Sequence, residues 1–380
     1  MMNNPIIIIG SGFAAYQLIK TIRRSDQECS ILVFTADEGH EYNKPDLSHV
    51  FSKRQRPEDL FLSTGADFAE KHNITLYANH TVEDINREDK TITANGQGYA
   101  YSKLVIATGA RAFIPPIDGD AVDRIYTLNS LSEFAHCREN IQQAKRVMMI
   151  GGGLVGIEIA MDLSSSNKQV CVVECSDYLM KNLLPEYVAI HLKQQFEQDN
   201  AKIYTNTTVN SVEHHGEALR VTFNSGEQIE IDAIICAAGL IPNNALAKAA
   251  GLKVNRGIVV NEQLQTSDPD IFSIGDCAEF EGQVRAFLQP IVLSANSLAK
   301  TLLGEGSQLI LPNMMVKVKT PRFPIQVGGI TGGEHVSRWT MDIDDTGMVA
   351  QSFNLQGQLI GFVATREKTA QAFSLLRELD

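Results

Sequence analysis

Two glycine clusters carry the spacing of a phosphate-binding turn: Gly10-Ser11-Gly12-Phe13-Ala14-Ala15 and Gly151-Gly152-Gly153-Leu154-Val155-Gly156. Each follows a short apolar run, Ile6-Ile7-Ile8-Ile9 in the first copy and Val147-Met148-Met149-Ile150 in the second. In a strand-turn-helix unit of this kind the first glycine (Gly10, Gly151) makes the tight turn. The second (Gly12, Gly153) lets backbone approach a pyrophosphate, and the third position (Ala15, Gly156) lets the helix pack on the strand. Unpaired N–H groups and the positive dipole end of the helix then face the phosphates. One cluster alone is weak evidence, because a packing turn has the same composition. Two, each placed after a strand-like run, point to two dinucleotides in one chain, and the usual reason to hold two is to pass electrons between them.

Carboxylates at strand ends refine this. An acid about 20 residues beyond the glycines bonds both ribose hydroxyls in a nicotinamide site. Glu174 closes Val170-Cys171-Val172-Val173 as that acid should. It would repel a 2′-phosphate, and no arginine follows in the next several residues, so NADH is favoured over NADPH. A solvated strand-end glutamate is the competing reading. In the first copy the equivalent position falls near Phe34 or Thr35, and the nearest acid, Asp37, is the candidate for the adenosine ribose. A further aspartate, Asp276, follows Ile271-Phe272-Ser273-Ile274-Gly275.

The elements that must position these residues repeat. Strand 5–9, helix 13–24 and strand 30–35 are matched by strand 146–150, helix 154–165 and strand 169–174. The buried run Leu104-Val105-Ile106-Ala107-Thr108-Gly109 has a counterpart in Ala233-Ile234-Ile235-Cys236-Ala237-Ala238-Gly239. Between each fingerprint and its closing strand lies a β-rich stretch (74–100 and 202–232), with hairpin turns at Asn95-Gly96 and Ser225-Gly226. Ala112-Phe113-Ile114-Pro115-Pro116 marks the crossing into a second domain and Ile241-Pro242-Asn243-Asn244 the return. After about 310, Val316-Lys317-Val318-Lys319, Ile325-Gln326-Val327 and Met348-Val349-Ala350-Gln351 alternate like sheet, and 367–379 reads as an amphipathic helix with Ala370, Phe373, Leu376 and Leu379 on one face. Trp339 is expected in the core of this tail. The fold class is α/β: two nested Rossmann-like dinucleotide-binding domains, 1–111 with 238–310 and 112–237, plus a small C-terminal α/β domain, 311–380.

Composition excludes several function classes. With 44% apolar and 21% charged residues the chain has ample core, and a formal net charge of −12 argues against nucleic acid as a bulk partner. No apolar run approaches the ~18 residues of a membrane span. Six scattered cysteines (Cys29, Cys137, Cys171, Cys175, Cys236, Cys277), without a C-x-x-C pair, fit a reducing cytoplasm, and no metal site is expected.

Taken in order, Gly10-x-Gly12, Ala107-Thr108-Gly109, the Gly151–Gly156 fingerprint, Ala238-Gly239-Leu240-Ile241-Pro242-Asn243 and Gly275-Asp276 resemble the two-dinucleotide flavoprotein disulfide-reductase superfamily, with its glutathione-reductase-like fold, over nearly the whole chain. The resemblance implies FAD in the first domain, with Ala107, Thr108, Gly109, Gly239 and Gly275 in its turns and Asp276 on the ribitol chain, and NADH in the second. Members are told apart by the loop after the second strand, which here reads His40-Glu41-Tyr42-Asn43-Lys44-Pro45-Asp46-Leu47-Ser48-His49 and lacks the redox cysteine of disulfide reductases and NADH oxidases. Tyr42-x-Lys44-Pro45-x-Leu47-Ser48 is similar to the rubredoxin and ferredoxin reductase branch. With Phe287-Leu288-Gln289-Pro290-Ile291 it resembles the NADH:flavorubredoxin reductases of anaerobic nitric oxide detoxification.

That resemblance implies hydride transfer from NADH to FAD and onward electron delivery to a flavorubredoxin or another rubredoxin-type protein. Lys44 would stabilise the reduced flavin, with Pro45 beside it, and Glu158 would stand near the nicotinamide. A helix beginning near Ile291, after Gln289-Pro290, would aim its N-terminus at the flavin pyrimidine, and Lys319 would close over the flavin from the third domain. A ferredoxin reductase of an oxygenase system is the enzyme alternative, and a redox-sensing NADH-binding flavoprotein the alternative of another class. Because rubredoxin-type domains are usually acidic, Lys44, Lys53, Arg54, Arg56, Lys317, Lys319 and Arg322 are candidates for a docking patch.

Overall fold

The computed structural model describes residues 4–199 and 201–379. Its chain divides into two compact units.

The first comprises the chain up to Lys44, Glu58–Arg111 and Leu240–Leu311. At its centre is a five-stranded parallel sheet in the order Ile271–Ser273, Lys103–Ile106, Ile6–Ile9, Ile31–Phe34, Thr75–Tyr77. Four successive isoleucines suit its middle strand because both faces are covered: all four are at most 7% exposed. Burying each contributes about 1.5–3 kcal/mol. Helix Phe13–Ser25 turns Ala15, Leu18, Ile19 and Ile22 inward and packs beside helix Leu288–Leu302. The antiparallel meander Val82–Asn86, Thr91–Ala94, Gln97–Ala100 makes its second turn at Asn95-Gly96, where φ is +47° and +75°. Those are the left-handed values a two-residue hairpin needs.

The second unit comprises Pro45–Pro57, Ala112–Gly239 and the chain from Pro312. Its parallel sheet runs Ile125–Tyr126, Ala233–Cys236, Arg146–Ile150, Gln169–Val173, Lys202–Tyr204. The fingerprint strand again lies between the closing strand and the strand that ends at the acid, so the duplication extends to sheet order. A meander, Val209–His215, Ala218–Phe223, Gln228–Ile231, repeats the first unit's. The chain from Pro312 adds an antiparallel sheet in the order Met315–Val318, Ile325–Gly329, Leu359–Thr365, Gly347–Phe353, Arg338–Asp344.

Three details differ from the sequence reading. The tail is a 3-10 turn, Arg366–Gln371, followed by a short helix, Ala372–Arg377. The change of period moves the inward positions to Ala372 and Leu375, with Leu376 and Leu379 partly buried against them, while Ala370 and Phe373 face solvent. Trp339 lies half-buried on the edge strand Arg338–Asp344, whose other residues are exposed, rather than in the core. Pro45–Pro57, embedded in the first dinucleotide unit by sequence, packs in the second, because carboxylates of helix Leu154–Ser165 bind its backbone and hydroxyls. Among the described residues no helix is long and apolar enough to cross a membrane.

Candidate functional site

In the first unit, Gly10 sits at φ +111°, and a Cβ there would lie 2.3 Å from the carbonyl oxygen of Ala107, so only glycine fits the turn. A Cβ on Gly12 would meet nothing within 4 Å. Open space at that position is what a pyrophosphate would occupy. Helix Phe13–Ser25 has no side-chain cap, so its first N–H groups are left for an anion. Ala15 is fully buried where the second copy has Gly156. Asp37 is exposed at the same turn: one carboxylate oxygen accepts Thr35 Oγ1 (2.7 Å), Ser11 Oγ (3.1 Å) and the Gly39 N–H (2.9 Å).

The Ala107-Thr108-Gly109 and Gly239–Asn243 motifs meet in this unit. Thr108 Oγ1 donates to the Asn243 carbonyl at 2.7 Å, and Asn243 Nδ2 donates back to the Thr108 carbonyl at 2.9 Å. Gly109 (φ +66°) and Gly239 (φ +128°) both adopt backbone conformations that favour glycine, with open space where a Cβ would stand. Gly275 (φ +83°) passes so close to the first helix that a Cβ would meet that of Ala14 at 2.7 Å. Asp276, next in sequence, pairs with Lys44 (Nζ–Oδ2 3.4 Å). Two residues singled out separately in the sequence are thus neighbours. Gln289 is exposed in the first turn of helix Leu288–Leu302, which starts three residues before the expected Ile291.

The second unit repeats the turn. Gly151 has φ +108° and a Cβ there would be 2.5 Å from the Ala237 carbonyl oxygen; Gly153 faces open space; a Cβ on Gly156 would be 2.0 Å from the Gly151 carbonyl oxygen. Helix Leu154–Ser165 again has no side-chain cap. Glu174 accepts the Gly152 N–H (2.7 Å) and the Ser176 N–H (2.8 Å). Burial alone would raise its carboxyl, but the bonds from Ser176, Gly152 and Cys175 outweigh that and hold it below the usual glutamate range.

Glu158, one turn into that helix, is not a solvated helix residue. It is 7% exposed, accepts Ser48 Oγ at 2.9 Å and the Lys319 N–H at 2.9 Å. Lys319 in turn donates Nζ to the Pro45 carbonyl at 2.7 Å. Lys319, Pro45 and Glu158 therefore form one cluster, while Lys44, Asp276 and the first fingerprint belong to the other unit. His49 stands in the same cluster; burial and the charge of Lys319 push its pKa down, against the pull of Asp162 and Glu158.

Sequence reasoning missed Ser48 and Asp162. Asp162 is 4% exposed and accepts the Phe51 N–H (2.8 Å), the Ser52 N–H (3.2 Å) and the Ser52 hydroxyl. Its spacing of four from Glu158, which puts both acids on one helix face, was the available signal.

Residues 4–295 match the pyridine nucleotide-disulphide oxidoreductase family and residues 308–379 the rubredoxin binding C-terminal domain. The chain is 51% identical over 379 residues to the nitric oxide reductase FlRd-NAD(+) reductase of Aliivibrio fischeri, covering 100% of this chain and 99% of that one. It is 51% identical over 378 residues to the protein of the same name from Vibrio vulnificus, covering 100% and 98%. Among solved structures, the covalent putidaredoxin reductase–putidaredoxin complex superposes with a TM-score of 0.89 at 26% identity, over 100% of this chain and 93% of that chain.

Proposed function

The chain belongs to the pyridine nucleotide-disulphide oxidoreductase family, and from that premise we propose that it is an NADH-dependent FAD reductase serving the rubredoxin domain of a flavorubredoxin in anaerobic nitric oxide reduction, in the cytoplasm. The observation that carries the reading is the union, in one chain, of two uncapped glycine turns with a rubredoxin-binding tail. FAD, when bound, supplies the capacity to accept a hydride from NADH and release electrons singly. Residues 1–111 and 238–310 form the FAD-binding part, 112–237 the NADH-binding part and 311–380 the acceptor-binding part.

The residues fit those groups. Gly10, Gly12 and Ala15, with Asp37 at the ribose end, suit the FAD adenylate, and Ala107, Thr108, Gly109, Gly239 and Gly275 form the turns that follow it along the strand ends. Asp276 offers a carboxylate to the ribitol hydroxyls, and Lys44, paired with it, holds positive charge there. Gly151, Gly153 and Gly156 admit the NADH pyrophosphate, and Glu174 binds its adenosine ribose. Glu158 is a positioning group: it fixes Ser48 and the backbone of Lys319, whose ammonium fixes Pro45. Gln289 presents the helix that would face the flavin ring.

No cysteine occupies 40–49, which supports delivery straight to a protein acceptor. The test is anaerobic: FAD-loaded protein, excess NADH and an isolated rubredoxin domain. Bleaching of the rubredoxin iron colour in catalytic turnover is expected. Flavin reduction without transfer to rubredoxin would reject the acceptor.

A further inference from the structure

Helix Leu154–Ser165 begins at the second glycine turn and carries two buried carboxylates one turn apart. Glu158 holds Ser48; Asp162 holds Phe51 and Ser52 through three donors. Three hydrogen bonds compensate the burial of Asp162. Such bonds to an ionised acceptor are roughly twice as strong as neutral ones. An asparagine could keep all three bonds, its Oδ1 accepting the two N–H groups and its NH2 donating to the Ser52 hydroxyl, so removal of the side chain is what opens the latch.

The segment so held is continuous with Lys44. At the Lys44–Pro45 peptide bond the chain leaves one unit for the other, with Lys44 tied to Asp276 in the first and Pro45 tied to Lys319 in the second. Whatever fixes Ser48–Ser52 thereby limits where the Lys44–Pro45 turn can go.

We propose that Asp162 is a positioning residue for hydride transfer: it latches Pro45–Pro57 to the nucleotide helix and so sets the Lys44–Pro45 turn, at a site no part of which it touches itself. This rests on the reading of Lys44 and Pro45 as flavin-side residues. The consequence is a split between binding and rate. The glycine turn and Glu174 are untouched by its loss, whereas small misplacement of reacting groups is costly in rate.

The experiment compares wild type with Asp162→Ala by anaerobic rapid mixing of the FAD-loaded protein with NADH, and by amide hydrogen exchange at Phe51 and Ser52. Flavin reduction should slow about tenfold or more, with the NADH KM nearly unchanged, and the two amides should exchange faster with FAD content preserved. Ser52→Ala, which removes one donor and leaves the carboxylate, should act in the same direction more weakly, and keeps the test available if the Asp162→Ala variant does not fold. Faster exchange with a wild-type reduction rate would overturn the positioning role, and unchanged exchange would overturn the latch. Failure of the underlying reading is distinct, since wild type itself would then not be reduced by NADH.

Discussion

Glu174 accepts the backbone N–H of Gly152 at 2.7 Å, which ties the acid at the end of one strand to the middle of the glycine turn at the end of its neighbour. A nucleotide phosphate at the 2′ position would meet a carboxylate that cannot swing away without breaking that bond. NADH should be preferred over NADPH by roughly 10–100-fold, a like-charge cost of several kcal/mol partly relieved by solvent. Glu174→Ala should weaken NADH and narrow the gap; equal use of the two nucleotides by wild type would remove Glu174 from the ribose site.

The same carboxyl fixes a pH dependence. Its pKa is held below the ordinary glutamate range, so the charge, and with it the discrimination, persists on acidification through that range. The linkage sign is that of a depressed acid: the stability contributed by the Gly152 and Ser176 bonds is complete above the unfolded-state pKa and declines as pH falls through the folded one. Ratios of kcat/KM for the two nucleotides, followed from neutral pH to about pH 5, should be flat.

Asp276→Ala should release FAD. Loss of a charged acceptor costs about 1.5–3 kcal/mol, or roughly 10- to 150-fold in affinity, and leaves Lys44 without its partner. The flavin-to-protein ratio after dialysis measures it, and full retention would contradict the ribitol assignment.

Electron transfer should need no thiol. Cys137 and Cys171 are buried and pushed up to about 12 by that burial, and Cys236 and Cys277 are also buried with raised values. Cys175 is exposed, yet burial of its sulfur and the charge of Glu174 raise it too. Replacing all six by serine or alanine should spare acceptor reduction, folding losses aside. Alkylation should mark Cys175 first, and bound NADH should slow it.

Of the cations considered for acceptor docking, Lys44 pairs with Asp276, Lys319 with the Pro45 carbonyl and Arg322 with Asp199. Lys53, Arg54 and Lys317 are exposed. Reduction of an acidic rubredoxin domain should therefore slow with rising salt, because charges more than about 8–10 Å apart become screened. It should also slow in a Lys53→Glu, Arg54→Glu variant. A rate indifferent to both would exclude these cations.

What could be read in the sequence follows from how local each signal is. Strand, turn and helix at 5–25 and 146–165 are written in contiguous residues, with Gly10, Gly151 and Gly156 at positions where a Cβ would clash with backbone, and the structure reproduces them to within a residue or two. Asp37 was harder, because its bonds to Ser11 and Thr35 depend on a loop that departs from the second copy's pattern. Asp162 left only a faint trace, its spacing of four from Glu158, because the partners it holds, Phe51 and Ser52, lie more than a hundred positions away. The tail helix misled because a 3-10 start shifts the phase that a pure 3.6-residue period assumes.

The interleaving of the two units has a consequence for how the chain is made and cut. Ile271–Ser273 completes the first sheet beside Lys103–Ile106, so on the ribosome that sheet waits for all of 112–239 to emerge. The nucleotide helix, once made, must recover Pro45–Pro57 from far upstream. Pairings of such long sequence separation form late and slowly. Excising 112–239 as a stand-alone nucleotide-binding fragment would leave Glu158 without Ser48 and Asp162 without Phe51 and Ser52, and would uncover the helix face that those segments bury. Neither half is a module that gene fusion or domain exchange could move by itself.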